Sequence, residues 1–310
     1  MPPTSPSSST ASRPVLAELL SGRLQPAAHE WLRKAEDEVS AGAESARFAA
    51  LLSLASRYAK RDALAPTVAG RERAATALPG WNPERWTVQE AARVALVLAR
   101  PDLAEESGAA AVEEAFRYAD EGELCALYRS LPHLPAPERF LWRAAEGCRT
   151  NMVSVFEADV LDTPYPARFF DDVAWNQAVI KTVFLDAPLW RLFGLDGRLS
   201  DELARMALDL VDERRSAHRD VQHELWLALG AGGVSHAGER GRAALEREID
   251  ASNPNALGRR AAAYALARCG ETATLSSYLD AEQDALVATA MRDALDGNLS
   301  QEAFRALDPR

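Results

Sequence analysis

Alanine occupies 60 of the 310 positions, and no other feature restricts the possible folds as much. Its methyl group loses no rotamer freedom in a helix, which makes it the best helix former, and it gives a strand little to pack with. Leucine, glutamate and arginine favour the same state, while runs of β-branched and aromatic residues are scarce. No segment alternates with period two between hairpin turns. The chain is therefore predicted to be all-α, a multi-helical α-α superhelix or bundle. With 47% hydrophobic residues it has the material for a sizeable core. No apolar run approaches the roughly 18 residues of a membrane-spanning helix.

Local signals set the expected boundaries. Phe48, Leu51, Leu52, Ala55 and Tyr58 form an apolar stripe on a helix over 44–60. Thr87 and Glu90 read as a capping box ahead of an apolar run to Ala99, which Pro101 stops. Pro137 suits the first turn of a long helix reaching about Leu161. A further helix is expected over 171–186, closed by Pro188. Another begins at Ser200, whose hydroxyl caps it while Asp201 and Glu202 oppose the positive dipole end. The Pro- and Ser-rich residues 1–14 are predicted to be a disordered tail, and they lack the apolar stretch of a signal peptide. The glycine-rich run 230–233 marks the expected boundary between a main helical domain, 15–230, and a C-terminal segment, 231–310. In that segment 254–261 is echoed by 283–290, and small residues at matching positions predict a short HEAT-like solenoid.

Charge and cysteine usage narrow the partners. Thirty-five basic against 46 acidic side chains leave a net charge of −11, which repels phosphate backbones and anionic headgroups, so no nucleic-acid or membrane-surface partner is expected. Cys125, Cys148 and Cys269 lie far apart with no C-x-x-C pair, so neither a disulfide framework nor a zinc site is expected. That usage suits a reducing cytoplasm. No cofactor is expected either: the 230–233 run follows a helix, whereas a dinucleotide loop follows a strand. Gly233-Val234-Ser235-His236 lacks the second glycine of a nucleophile elbow. His218 and His223, five apart, do not share a helical face for metal binding.

The middle third holds polar side chains that helical periodicity turns inward. Glu157 shares a face with Val153, Val160 and Leu161, and Glu213 aligns with Met206, Leu210 and Ala217. Asn176 lies with Ile180 and Val183, and Lys181 pairs with Gln177 at i, i+4. Two readings stand: a buried hydrogen-bonded network that fixes helix packing, or a polar pocket between helices. Aromatic residues thicken the same region, among them Tyr165 and Trp175. Pro164-Tyr165-Pro166 is expected to be a stiff extended link that presents Tyr165 between two helices, as pocket rim or packing wedge.

These residues carry a resemblance. Phe156-Glu157-Ala158, Pro164-Tyr165-Pro166, Trp175-Asn176-Gln177 with Lys181 and Phe184, Gly194-Leu195-Asp196 with Arg198, Glu213-Arg214, Arg219 and Glu224-Leu225-Trp226 resemble the signature region of the EboA-domain proteins. Ala119-Asp120, Ala126-Leu127-Tyr128 and Leu131-Pro132 extend the likeness upstream, so that it spans roughly 86–230. Thr163 and Ser200 stand where the family tends to have asparagine. The resemblance implies a cytoplasmic metabolite-traffic component of a secondary-metabolite gene cluster, with a small-molecule metabolite and other proteins of that cluster as partners.

The combined expectation is a ligand site involving Glu157, Tyr165, Trp175, Asn176, Lys181, Asp196, Arg198, Glu213 and Arg219, the cations anchoring an anionic group. Two alternatives remain open from sequence. One is a cofactor-free cyclase or isomerase with Glu157 and Glu213 as acid and base. The other is a protein–protein scaffold built on the C-terminal helices.

Overall fold

A computed structural model describes residues 8–307 of the chain, with side chains from residue 11. Helices make up about 70% of it, as the alanine content dictates. The chain divides into two compact units between Phe170 and Asp171. That division lies well before the glycine run at which the sequence places a boundary.

The first unit contains α1 (Ser8–Ser21), α2 (Pro26–Ser40), α3 (Ser45–Tyr58), α4 (Val68–Ala77), α5 (Val88–Leu98), α6 (Glu106–Tyr118), α7 (Glu121–Ser130), α8 (Leu141–Gly147), α9 (Val153–Val160) and α10 (Tyr165–Phe169). Its axis is α5, every residue of which is buried, with α1, α2, α3 and α7 packed around it. The capping box that starts α5 forms as expected: Thr87 Oγ1 accepts from the Glu90 amide at 3.1 Å, and Glu90 Oε2 accepts from the Thr87 amide at 2.6 Å. A helix wrapped on all sides needs small residues for close approach and must satisfy every polar group it carries. Glu90 meets Arg129 at 2.9 Å, and Arg93 donates to the Leu52 carbonyl at 3.0 Å.

The second unit contains α11 (Asp172–Phe184), α12 (Asp201–Ser216), α13 (Gly238–Ile249), α14 (Ala256–Arg268), α15 (Thr272–Leu279) and α16 (Ala285–Leu295). Here α14 is the axis, buried at 258, 259 and from Ala261 to Arg268. It packs on α13, α15 and α16. The sequence echo corresponds to α14 and α16, whose N-caps Asn255 and Asp284 occupy equivalent positions and accept from Gly258 and Val287 amides at 3.0 and 3.2 Å. The cap at Ser200 forms as expected, accepting from the Leu203 amide, and Asp171 caps α11 by accepting from the Ala174 amide.

Four local expectations are corrected. Of the tail expected over 1–14, residues 1–7 lie outside the described residues. From Ser8 onward the chain is helical, with Pro14 inside α1. The long helix from Pro137 is instead a 3-10 turn (Pro137–Phe140) followed by the separate helices α8 and α9. The break falls after Gly147, which sits so close to Asp159 and Tyr128 that a Cβ there would lie 2.6 Å from Asp159 Oδ2 and 2.8 Å from the Tyr128 ring. Chain reversal, and not continuation, brings α8 and α9 to that distance. The segment at Pro164-Tyr165-Pro166 is helical, not extended, because Pro166 occupies the first turn of α10, where its missing amide costs nothing. Finally, 230–233 follows a 3-10 segment (His223–Leu229) and makes a two-stranded hairpin, Gly230–Ala231 with Val234–Ser235. Gly232 and Gly233 supply the positive φ of +60° and +84° that its two-residue turn requires.

Candidate functional site

Glu157 and Tyr165 belong to the first unit. Glu157 is half-buried on α9. Tyr165 is 1% exposed, stacks beside Phe169 with ring centroids 4.9 Å apart, and donates its hydroxyl to the Pro137 carbonyl at 2.7 Å. Within this unit it is a packing wedge.

The buried acid of α9 is Asp159, which sequence reasoning did not select. It is 1% exposed, and Cys148 Sγ lies 3.4 Å from its Oδ2. Its Oδ1 has no hydrogen-bond partner among the described residues. Burial raises its carboxyl well above the ordinary value of 3.8, and the Cys148 thiol opposes this. Val155, Phe156, Ala158, Asp159 and Val160 are buried while Val153 is exposed. The inward face therefore runs through Val155 and Asp159, at i, i+4, and not through Val153 and Glu157.

A pH dependence follows from Asp159. Below pH 3.8 both folded and unfolded chains hold its proton, and it costs least. As pH rises from there toward the raised folded value, the unfolded chain ionises first and stability is progressively lost. Asp159→Asn is expected to remove that slope, so that its melting temperature, relative to wild type, climbs between pH 4 and pH 8. Parallel melting curves across that range would show the carboxyl to be ionised in the fold.

The remaining candidates belong to the second unit and fall into three places. The first is α11. Trp175 is 1% exposed and Asn176 is 6% exposed, while Lys181 is half-buried. The guanidinium of Arg198 lies 4.7 Å from the centroid of the Trp175 ring and pairs with the solvent-facing Asp172 at 2.9 Å. An aromatic face thus fixes the plane of a cation whose edge meets a displaceable carboxylate.

Asp196 is the second. It accepts two bonds from Arg268 of α14, at 2.6 and 3.3 Å, and Arg268 also donates to the Leu299 carbonyl at 2.6 Å. The Arg268 side chain has no exposure. Asp196 therefore neutralises a buried cation.

The third place is the C-terminal end of α12. Glu213 is exposed, contrary to its expected burial, because the inward stripe of α12 runs through Leu203, Ala204, Ala207, Leu208 and Val211. Residue 213 lies two positions past that stripe, about 200° round the helix. Arg219, just after α12, lines a cleft of about 290 Å³ with Arg215 and Arg247. None of the other candidates lines it.

The described residues are helical apart from one short hairpin, and each of the two units wraps a buried axial helix. The model of the family described as metabolite traffic protein EboA matches residues 13–230, and the chain belongs to that family. Neither the curated proteins nor the solved structures contain a match to it. The family segment covers the first unit and α11, α12 and the 3-10 segment of the second. Among the described residues no helix is long and apolar enough to cross a membrane.

Proposed function

We propose that the chain is a binding component in metabolite traffic that holds a small molecule without converting it, through the surface built around Arg198 on the α11 side of the second unit. The observation that supports this reading is the stacking of Arg198 on Trp175, inside the segment that matches the family. Trp175 is too buried to meet a ligand broadly, so it acts as a positioning residue that presents the guanidinium edge. An anionic ligand group can take the place of Asp172 there, since guanidinium pairs with carboxylate and phosphate alike. Val173, next to Asp172 on α11, is 66% exposed. It offers contact to an apolar part of the same ligand.

Chain purified from its producing cells tests this. A small molecule released from it by solvent is expected to return with unchanged mass after incubation with fresh chain. Arg198→Ala is expected to retain about a tenth of it or less, given the usual worth of a charge-assisted hydrogen bond. Conversion to a second mass would replace this reading with an enzymatic one, and the same yield from Arg198→Ala would remove Arg198 from the site.

A further inference from the structure

The cleft beside Arg219 is built from both sides of the family boundary. Arg215, Arg219 and Asp220 precede residue 230, whereas Arg247, Glu248 and Asn255 follow it. Its volume, about 290 Å³, is that of a small-metabolite site at the lower end of the usual range. Arg215 is committed: it pairs with the buried Glu248 at 2.9 Å, donates to the Ala244 carbonyl at 3.3 Å, and lies 5.7 Å from the Trp226 ring centroid. Glu248 is thereby neutralised. Arg219 and Arg247 are different, since among the described residues neither forms an ion pair or a side-chain hydrogen bond.

Helix dipoles account for part of this gathering. Arg215 lies in the last turn of α12 and Arg247 in the last turn of α13, where cations offset the negative end. They do not account for Arg219, which lies beyond α12 in the segment that returns toward residue 221. With Arg215 and Glu248 cancelling, the cleft carries Arg219 and Arg247 against the single carboxylate of Asp220. Asn255 adds an amide: its Oδ1 caps α14 by accepting from Gly258, which turns its Nδ2 to donate elsewhere.

We infer that this cleft is an anion site, separate from the Arg198 surface, that takes the phosphate of a small hydrophilic phosphate monoester. The two guanidinium groups are donors only, the Asn255 amide adds the donors of its Nδ2, and a dianionic phosphate presents three acceptor oxygens to them. The polar lining selects a ligand whose remainder is hydroxylated and not apolar.

Inorganic phosphate is the direct probe. Titrated into the full chain at constant ionic strength, it is expected to bind saturably with a dissociation constant in the millimolar range, and more weakly as salt is raised. Arg219→Gln with Arg247→Gln is expected to weaken it at least tenfold, with the melting temperature held because both side chains are exposed. Arg205→Gln, on the outer face of α12, serves as the control and is expected to leave binding unchanged. Malonate at the same ionic strength is expected to bind at least fivefold more weakly than phosphate. Absence of saturation, equal binding by the double variant, or equal binding of malonate would each overturn the assignment.

Discussion

Asp196→Ala is expected to destabilise the second unit by about 3 kcal/mol. The loss comes from what it leaves behind. Arg268 has no exposure, and its Nε already lacks a partner, so removing Asp196 strands a guanidinium on the Leu299 carbonyl alone. Breaking a buried pair from one side costs about 3–5 kcal/mol, and the lower end applies because Asp196 itself is about one-third exposed. The double variant Asp196→Leu, Arg268→Met removes both charges and is expected to recover most of the loss, as apolar replacements of buried pairs do. Urea unfolding of wild type and the two variants measures the loss and its recovery. An Asp196→Ala chain as stable as wild type, but impaired in ligand binding, would return Asp196 to the binding residues.

Gly270→Ala is expected to cost a similar amount, about 3 kcal/mol, from two additive sources. Gly270 has φ +84°, a conformation that costs a residue with a Cβ roughly 1–2 kcal/mol. Its Cβ would also lie 2.6 Å from the Gly233 carbonyl oxygen, a backbone atom that cannot turn away. The clash would push on the hairpin whose Gly233 amide donates to the Arg268 carbonyl at 2.9 Å. Gly232→Ala is the comparison: it has a positive φ and open space, so it is expected to cost only the backbone share. Equal losses at 232 and 270 would show that the close approach contributes nothing.

Both predictions concern the end of α14, and they bear on how far the family segment stands alone. Asp196 lies inside it, while Arg268 and Gly270 lie outside. The second unit therefore completes its core with helices that the family model does not cover. A chain ended after residue 230 would lose the partner of Asp196 and the axis around which the unit packs.

The all-α class was legible because alanine excess and capping signals are local, and helices form from local signals. The caps at Thr87 and Ser200 were readable for that reason. The unit boundary was not, because Gly232 and Gly233 look like a linker in sequence yet close a hairpin inside a packed unit. Nor was the break between α8 and α9, which depends on Gly147 meeting Asp159, a tertiary contact.

At the site, burial was the quantity that sequence handled least well. Periodicity places a residue on a face but does not say which face is inward. Glu157 and Asp159 are two positions apart, and that was enough to choose the wrong carboxylate as the buried one. Glu213 failed in the same way. Asn176 was read correctly as inward, since α11 buries it together with Val179 and Val183. Arg219 was selected through the family resemblance, and its cleft became visible only with Arg247, which comes from a different helix.

Native mass spectrometry of the chain from its producing cells tests the central claim most directly, run on wild type and Arg198→Ala. A single discrete added mass on wild type, absent from the variant while its melting temperature stays within about two degrees, is the predicted result. A wild-type chain that flies with its sequence mass alone would contradict a metabolite-binding role and leave this side chain to the stability of the fold.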